Sequence, residues 1–158
     1  MQRPVTVALT GGIAAGKSEA LAAFARHGAA TASSDEFVHT LLAGDADVRD
    51  AIRERWGEDA VGDRKRIGEI VFKDAAELDW LEQLLHPRTR ALGDAWLETV
   101  DRPLAVIEIP LLFETGGEAR LIPEEEKVRR ADFSYVNDGS LADLDAYVAG
   151  VVESLSSS

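Results

Sequence analysis

A glycine-rich segment near the start of the chain has the residue types and spacing that bind phosphate groups. Gly11–Ser18 reads GGIAAGKS and matches G-x-x-x-x-G-K-S/T, with an apolar run before it and helical spacing after it. Glycines let the backbone curl so that N–H groups face phosphate oxygens, and the new helix adds its positive end. Lys17 is expected to reach the β- and γ-phosphates, and the Ser18 hydroxyl to hold Mg²⁺. The predicted nucleotide site comprises Gly11, Gly12, Ile13, Ala14, Ala15, Gly16, Lys17 and Ser18.

Two carboxylates stand where further strands are expected to end. Asp35 follows the second predicted strand, and Glu108 lies near the end of the third. Because ligands of open parallel sheets bind at the carboxyl ends of the strands, either residue could face a nucleotide phosphate, a metal ion or an acceptor hydroxyl. A helix cap is the alternative for Asp35. Glu108 lies in an apolar run and needs a partner if it is buried.

The elements that must position these residues alternate between strand and helix. Strands are predicted at Val5–Leu9, Ala29–Ser33, Leu104–Ile109 and Phe133–Asn137, the first as a buried strand. Helices are predicted at Lys17–His27, Ser34–Leu42, Asp45–Trp56, Lys65–Phe72, Asp74–Leu85, Pro87–Val100, Pro123–Ala131 and Ser140–Leu155. This order predicts an α/β fold with a mainly parallel four-stranded sheet flanked by helices.

The middle of the chain, from Leu41 to Val100, contains no convincing strand. We interpret it as a helical insertion, residues 41–100, within one domain that spans residues 1–158. Asp74 and Glu77 have the spacing of a capping box, and Pro87 is expected to break the helical pattern and begin a new helix. Trp56, Trp80 and Trp96 are expected to be packing anchors.

The composition is that of an acidic globular protein without cysteine. The 158 residues include 29 acidic and 17 basic side chains, for a net charge of −12. This charge argues against non-specific binding to nucleic acid or to an anionic membrane, and zero cysteines exclude a disulfide scaffold. No apolar run reaches the roughly 18 residues that span a bilayer. We therefore expect a soluble, cytoplasmic protein that acts on small molecules.

Several segments occur in the order found in one enzyme family. They are Val7–Ser18, Ser33–His39, Asp63–Asp74, Leu81–Arg90, Ile107–Gly116, Glu125–Asp132 and Val136–Leu141. On these segments the chain resembles the dephospho-coenzyme A kinases, which complete coenzyme A synthesis. The resemblance implies a P-loop NTPase-type fold and transfer of phosphate from ATP, with Mg²⁺, to the ribose 3′-hydroxyl of dephospho-coenzyme A.

The resemblance also implies roles for single residues. Asp35 matches the general base that takes the proton of the 3′-hydroxyl, and Lys17 acts on the transferred phosphate. Arg120 corresponds to the cationic end of the family's lid, and Asn137 to a position near the adenine of ATP. Glu108 stays a candidate metal ligand beside Ser18.

Further positions match the family's acceptor site. They are His39, Arg64, Lys65 and His86, together with the loop residues Pro110, Leu111, Leu112, Phe113 and Glu114. Arg64–Arg66 could instead be solvated charges, His86 could simply end a helix, and Leu111–Phe113 could be core.

The chain departs from the family after Gly116. Family members continue there with a fourth strand and a paired-helix lid, whereas Gly116–Glu118 runs almost directly into a charged segment. Four strands are therefore expected here against five in the family. The alternatives to an active kinase are a weak or inactive ATP-binding module and a kinase for another small hydroxyl acceptor. The sequence gives no indication of the oligomeric state.

Overall fold

The computed structural model describes residues 3–10, 16–109, 132–135 and 139–157. Its elements are β1 Val5–Leu9, α1 Lys17–Arg26, β2 Ala30–Ser33, α2 Ser34–Gly44, α3 Ala46–Trp56, α4 Arg64–Lys73, α5 Ala75–Thr99, β3 Leu104–Glu108 and α6 Leu141–Ser156. A 3₁₀ turn at Glu58–Ala60 lies between α3 and α4. The predicted α/β class is confirmed.

The chain divides into two compact units, each with a core of its own. The sheet unit takes its described residues from within 1–33, 96–110 and 122–158. The described part of the helical unit is Ser34–Ala95. The predicted helical insertion, residues 41–100, is helical in character, and its boundaries as a domain stay a prediction. No described helix is long and apolar enough to cross a membrane.

The sheet unit holds a parallel sheet in the order β1-β3-β2. Its core includes Ala23 and Phe24 on α1, with Val106 on β3. One face of α6 completes it through Leu144, Val148 and Val151, the stripe expected from their helical spacing. A capping box formed by Ser140 and Asp143 begins α6, since each side chain accepts the other residue's backbone N–H.

The expectation that β1 is a buried strand is wrong. Among the described residues β1 pairs with β3 alone, so it lies at the edge of the described sheet. Val5 is 46% exposed, and Thr6 and Ala8 are exposed as well. A parallel strand is buried on both faces only where other elements cover it, and in the described part only Val7 and Leu9 pack against the core.

The predicted fourth strand is also wrong in its described part. Residues 133–135 are not in a strand, and the sheet of the described residues has three strands rather than four. Instead, the Tyr147 hydroxyl on α6 donates to the Ser134 carbonyl at 2.7 Å, and the Tyr135 and Tyr147 rings stack with centroids 4.7 Å apart. The segment is thus tied to a helix through a side chain. Asn137 lies outside the described residues.

The helical unit is built from α2, α3 and α4 with most of α5. Its core includes Val38, Ile52, Ile67 and Leu81, each almost fully buried. Asp45 caps α3 as predicted, because its Oδ1 accepts the Val48 N–H at 2.9 Å.

Pro87 does not end a helix, contrary to the sequence prediction. Helix α5 runs through it as one helix of 25 residues. Proline removes one N–H and costs about 3 kcal/mol in a helix interior, so burial must outweigh it. Leu78, Leu81 and Leu85 are buried before the proline and Gly93 is buried after it. The Arg88 guanidinium also donates to the Leu84 carbonyl at 2.8 Å beside this point.

Candidate functional site

The described phosphate-loop residues lie where β1 passes into α1. Strand β1 ends at Leu9, and α1 begins at Lys17 with Gly16 as its N-cap. Gly16 has φ +83°, a left-handed conformation that glycine adopts without steric cost. Glycine has no side chain to accept hydrogen bonds from the first turn, so this helix start suits an anion. Lys17 is half-buried and Ser18 exposed in that turn.

Glu108 ends the central strand of the sheet. In the register of the strands it pairs with Leu9 on β1 and Ser33 on β2, so all three strands end at one edge. The Ile109 N–H donates to the Leu9 carbonyl at 2.8 Å just beyond. Glu108 is half-buried, which leaves its carboxylate in reach of water. Its predicted place near the end of the third strand is confirmed.

The described residues contain no group of three or more His, Asp or Glu side chains that could hold a metal alone. Mg²⁺ does not need one, because it keeps several waters and binds through one or two protein oxygens together with substrate phosphates. The Ser18 hydroxyl and the Glu108 carboxylate are oxygen donors of that kind, both within the sheet unit. The residues present fit a Mg²⁺–nucleotide complex.

In the helical unit, Asp35 and Arg64 form an ion pair through both carboxylate oxygens. Asp35 lies in the first turn of α2, and Arg64 is the first residue of α4. The Arg64 Nη1 atom donates to Asp35 Oδ2 at 3.3 Å, and Nη2 donates to Oδ1. The two side chains are 42% and 38% exposed. The sequence analysis identified both residues but missed the pair, because nothing in the spacing of residues 35 and 64 signals a contact.

The other predicted acceptor residues of the helical unit are exposed. His39 lies one turn after Asp35 on α2, Lys65 follows Arg64 on α4, and His86 lies on α5. Because α5 continues through His86, the alternative that this histidine ends a helix is wrong. The roles of these residues stay predictions.

The remaining predicted site residues lie outside the described residues. They are Gly11, Gly12, Ile13, Ala14, Ala15, Pro110, Leu111, Leu112, Phe113, Glu114, Arg120 and Asn137.

Lowered pKa values in the described part belong to carboxylates that are not predicted site residues. Hydrogen bonds from Arg55, and then from Trp56, lower the pKa of Glu77. The pKa of Asp143 is lowered by the backbone N–H of Ser140. The pKa of Asp145 is lowered first by Arg26, which donates from Nη2 at 2.8 Å, and then by His27.

The predicted role of His27 as a helix cap is confirmed. Its backbone N–H donates to the Ala23 carbonyl at the end of α1, and Gly28 follows with φ +94°. Its ring Nε2 also lies 3.0 Å from Asp145 Oδ2 on α6.

Comparison with known proteins gives one family. A family model described as dephospho-CoA kinase matches residues 5–123. The dephospho-CoA kinase of Mesorhizobium japonicum is 33% identical over 190 residues, which cover 96% of this chain and 96% of that protein. The dephospho-CoA kinase of Thermosynechococcus vestitus is 33% identical over 185 residues and 91% of each chain.

Solved structures share the fold. The crystal structure of TT1252 from Thermus thermophilus superposes with a TM-score of 0.75 at 27% identity, covering 98% of this chain and 99% of the other. The dephospho-CoA kinase from Campylobacter jejuni has a TM-score of 0.62 at 22% identity, covering 95% and 96%.

The alignment with the Mesorhizobium japonicum protein is longer than the chain. It runs over 190 residues against 158, so at least 32 aligned positions of that protein have no counterpart here. A shorter chain agrees with the expected lack of a strand and a lid, although which segment is missing stays a prediction.

Proposed function

The chain belongs to the dephospho-CoA kinase family, and from this premise we propose that it phosphorylates the ribose 3′-hydroxyl of dephospho-coenzyme A. The family consists of phosphotransferases of coenzyme A biosynthesis that use ATP as phosphate donor. The observation that carries the proposal is the 33% identity that extends over 96% of both this chain and a dephospho-CoA kinase. The sheet edge where β1, β2 and β3 end together supports it, because ligands of such sheets bind there.

The reaction is an in-line displacement at the γ-phosphorus of ATP. The acceptor hydroxyl oxygen forms the new bond to phosphorus, and the bond from phosphorus to the β-phosphate oxygen breaks. ADP leaves, coenzyme A carries the new 3′-phosphate, and one proton leaves the hydroxyl. The protein contributes mainly positioning and charge stabilisation to such a transfer.

The donor nucleotide is assigned to Gly11–Ser18. Backbone N–H groups of the loop and the start of α1 would hold the phosphates, and the Lys17 ammonium would bind the β- and γ-phosphate oxygens. Ser18 and Glu108 would hold Mg²⁺, which supplies positive charge to the phosphate oxygens when bound. Asn137 is assigned to the adenine, as the family resemblance implies.

The acceptor is assigned to residues of the helical unit and the loop after β3. Asp35 takes the hydroxyl proton as general base. His39, Lys65 and His86 bind the anionic coenzyme moiety, and the loop Pro110–Glu114 lines the acceptor site. Arg120 stabilises charge on the transferred group. The resemblance places Arg64 among the substrate-binding residues, and its contact with Asp35 suggests a different role, argued below.

An ATP-binding protein with little or no transferase activity is the second candidate. It is favoured by the 32 or more positions of the Mesorhizobium japonicum enzyme that this chain lacks. If those positions include the lid, as the sequence predicts, the chain lacks arginines of a kind worth roughly 10³–10⁵ in rate. Transfer to a different small hydroxyl acceptor is the remaining possibility.

One assay separates these functions. ADP release from Mg·ATP is measured with dephospho-coenzyme A, with other ribose-containing acceptors and without any acceptor, beside calorimetric titration of ATP. Release that requires dephospho-coenzyme A is the expected result. Release only with another acceptor contradicts the assigned substrate, and ATP binding without acceptor-dependent release identifies the binding protein. The Mesorhizobium japonicum enzyme serves as the positive control.

A further inference from the structure

The ion pair of Asp35 and Arg64 gives Arg64 a role beyond substrate binding. This inference rests on the proposed function, in which Asp35 is the general base. We propose that Arg64 is a positioning residue that acts through Asp35, holding the carboxylate in one orientation rather than binding the acceptor itself. The observation is that two guanidinium nitrogens of Arg64 contact the two different oxygens of Asp35.

Two contacts constrain a carboxylate in a way that one cannot. The torsion that turns the aspartate carboxylate is broad and nearly two-fold, so a carboxylate held at one oxygen still rotates. A planar guanidinium with parallel N–H groups matches both oxygens and fixes the plane. A carboxylate offers about four lone-pair positions, of which this fork uses two, so the pairing is compatible with accepting a proton.

Both partners are anchored by packed helices. Arg64 begins α4 next to its N-cap Asp63, whose Oδ1 accepts the Arg66 N–H at 3.0 Å. Ile67 is fully buried one turn further along α4. Asp35 stands one turn before Val38, which is 1% exposed on α2. The fork therefore connects two helix starts that share one core.

Stability alone does not account for the pair. Both side chains are more than a third exposed, and ion pairs with this exposure contribute little to folding. Orientation of a reacting group is different, because a misplacement of about 1 Å can cost on the order of 10²-fold in rate. The arrangement is thus of more use to proton transfer than to folding.

The test separates action through Asp35 from contact with substrate. Arg64→Gln is expected to lower kcat about 10–100-fold while the KM for dephospho-coenzyme A changes less than about twofold. Arg64→Lys is expected to recover only part of the rate, since an ammonium is a point charge. Asp35→Asn and the double variant with Arg64→Gln should have the same residual kcat, because Arg64 then has no base to position. Arg53→Gln is the matched control, as Arg53 pairs with Asp50 at 2.6 Å in the same unit.

Several outcomes would overturn the proposal. One is a KM that rises at least about tenfold in Arg64→Gln with kcat retained, which would make Arg64 a substrate-binding residue. Another is a double variant slower than Asp35→Asn by the full factor seen for Arg64→Gln alone. Circular dichroism confirms that each variant folds, so that a lost fold is not mistaken for a lost role.

The experiment also decides if the parent chain turns over too slowly to measure. Titration calorimetry then compares the binding of dephospho-coenzyme A to the parent chain and to Arg64→Gln. Equal affinity supports the positioning role, and a loss of at least about tenfold overturns it while the proposed substrate stands. If the parent chain binds no dephospho-coenzyme A, the proposed function fails and this inference fails with it.

Discussion

Glu77 on α5 accepts the indole N–H of Trp56 on α3, with 2.7 Å between Nε1 and Oε2. Arg55 donates to the same carboxylate from Nε at 2.6 Å and from Nη2 at 3.2 Å. The Arg55 guanidinium lies 4.7 Å from the centroid of the Trp80 ring, and the two indole rings meet edge to face at 5.0 Å. One carboxylate thus organises two helices beside the core of the helical unit.

Glu77→Gln is expected to destabilise the protein in a pH-dependent way. The pKa of Glu77 is lower in the folded protein than its ordinary value of 4.5, so its contribution is present above that pH and is lost as the pH falls through the folded value. The difference in free energy of unfolding between parent and variant should be largest near neutral pH and shrink below about pH 4. Urea unfolding followed by tryptophan fluorescence measures it.

Glu98→Gln is the control for this prediction, because Glu98 is an exposed carboxylate on the same helix. It should unfold like the parent chain at every pH. A Glu77→Gln difference that stays constant with pH would show that the carboxylate charge is not what stabilises the cluster.

Two glycines should respond to alanine with opposite signs. Gly150 lies within α6 with no heavy atom within 4 Å of an added Cβ, so Gly150→Ala should stabilise the protein by about 0.5–1 kcal/mol. Gly28 has equal space but φ +94°, where a Cβ costs about 1–2 kcal/mol. Gly28→Ala should therefore lower the midpoint of urea unfolding and Gly150→Ala should raise it. Equal shifts of the two midpoints would contradict the left-handed conformation at Gly28.

The sequence predicts the elements well where local chemistry decides them. Asp45 caps a helix, Gly28 follows a helix end, and the apolar spacing of Leu144, Val148 and Val151 forms a buried face. It fails where distant residues decide. Glu77 has capping-box spacing, yet its carboxylate contacts Arg55 and Trp56, which lie more than 20 residues earlier in the chain.

The candidate site shows the same division. A local motif predicts a helix that begins after Gly16, and strand order predicts that Glu108 ends a strand beside β1, as it does. No local pattern links Asp35 with Arg64, because their contact depends on how α2 and α4 pack. Phe133–Tyr135 has strand-like composition, but burial and pairing partners decide whether such a run becomes a strand.

Lys17→Ala tests the phosphate-loop assignment. Loss of the ammonium should weaken ATP binding in calorimetry and lower kcat about 10²–10³-fold, the range for removing one preorganised charge-stabilising donor. Lys73→Ala is the control, since Lys73 is an exposed lysine at the end of α4. Full ATP affinity in Lys17→Ala would contradict the assigned role. The comparison is made at one ionic strength, because salt screens exposed charges.

Pro87 is retained inside α5 although the helix would be more stable without it. Pro87→Ala restores an N–H to the helix and should raise the free energy of unfolding by about 1–3 kcal/mol. Conflicts of this kind between local preference and fold are expected at functional sites. The resemblance assigns His86 and Pro87 to the acceptor region, so the same variant should raise the KM for dephospho-coenzyme A and leave ATP affinity unchanged. A more stable variant with an unaltered KM would show that Pro87 has no part in acceptor binding.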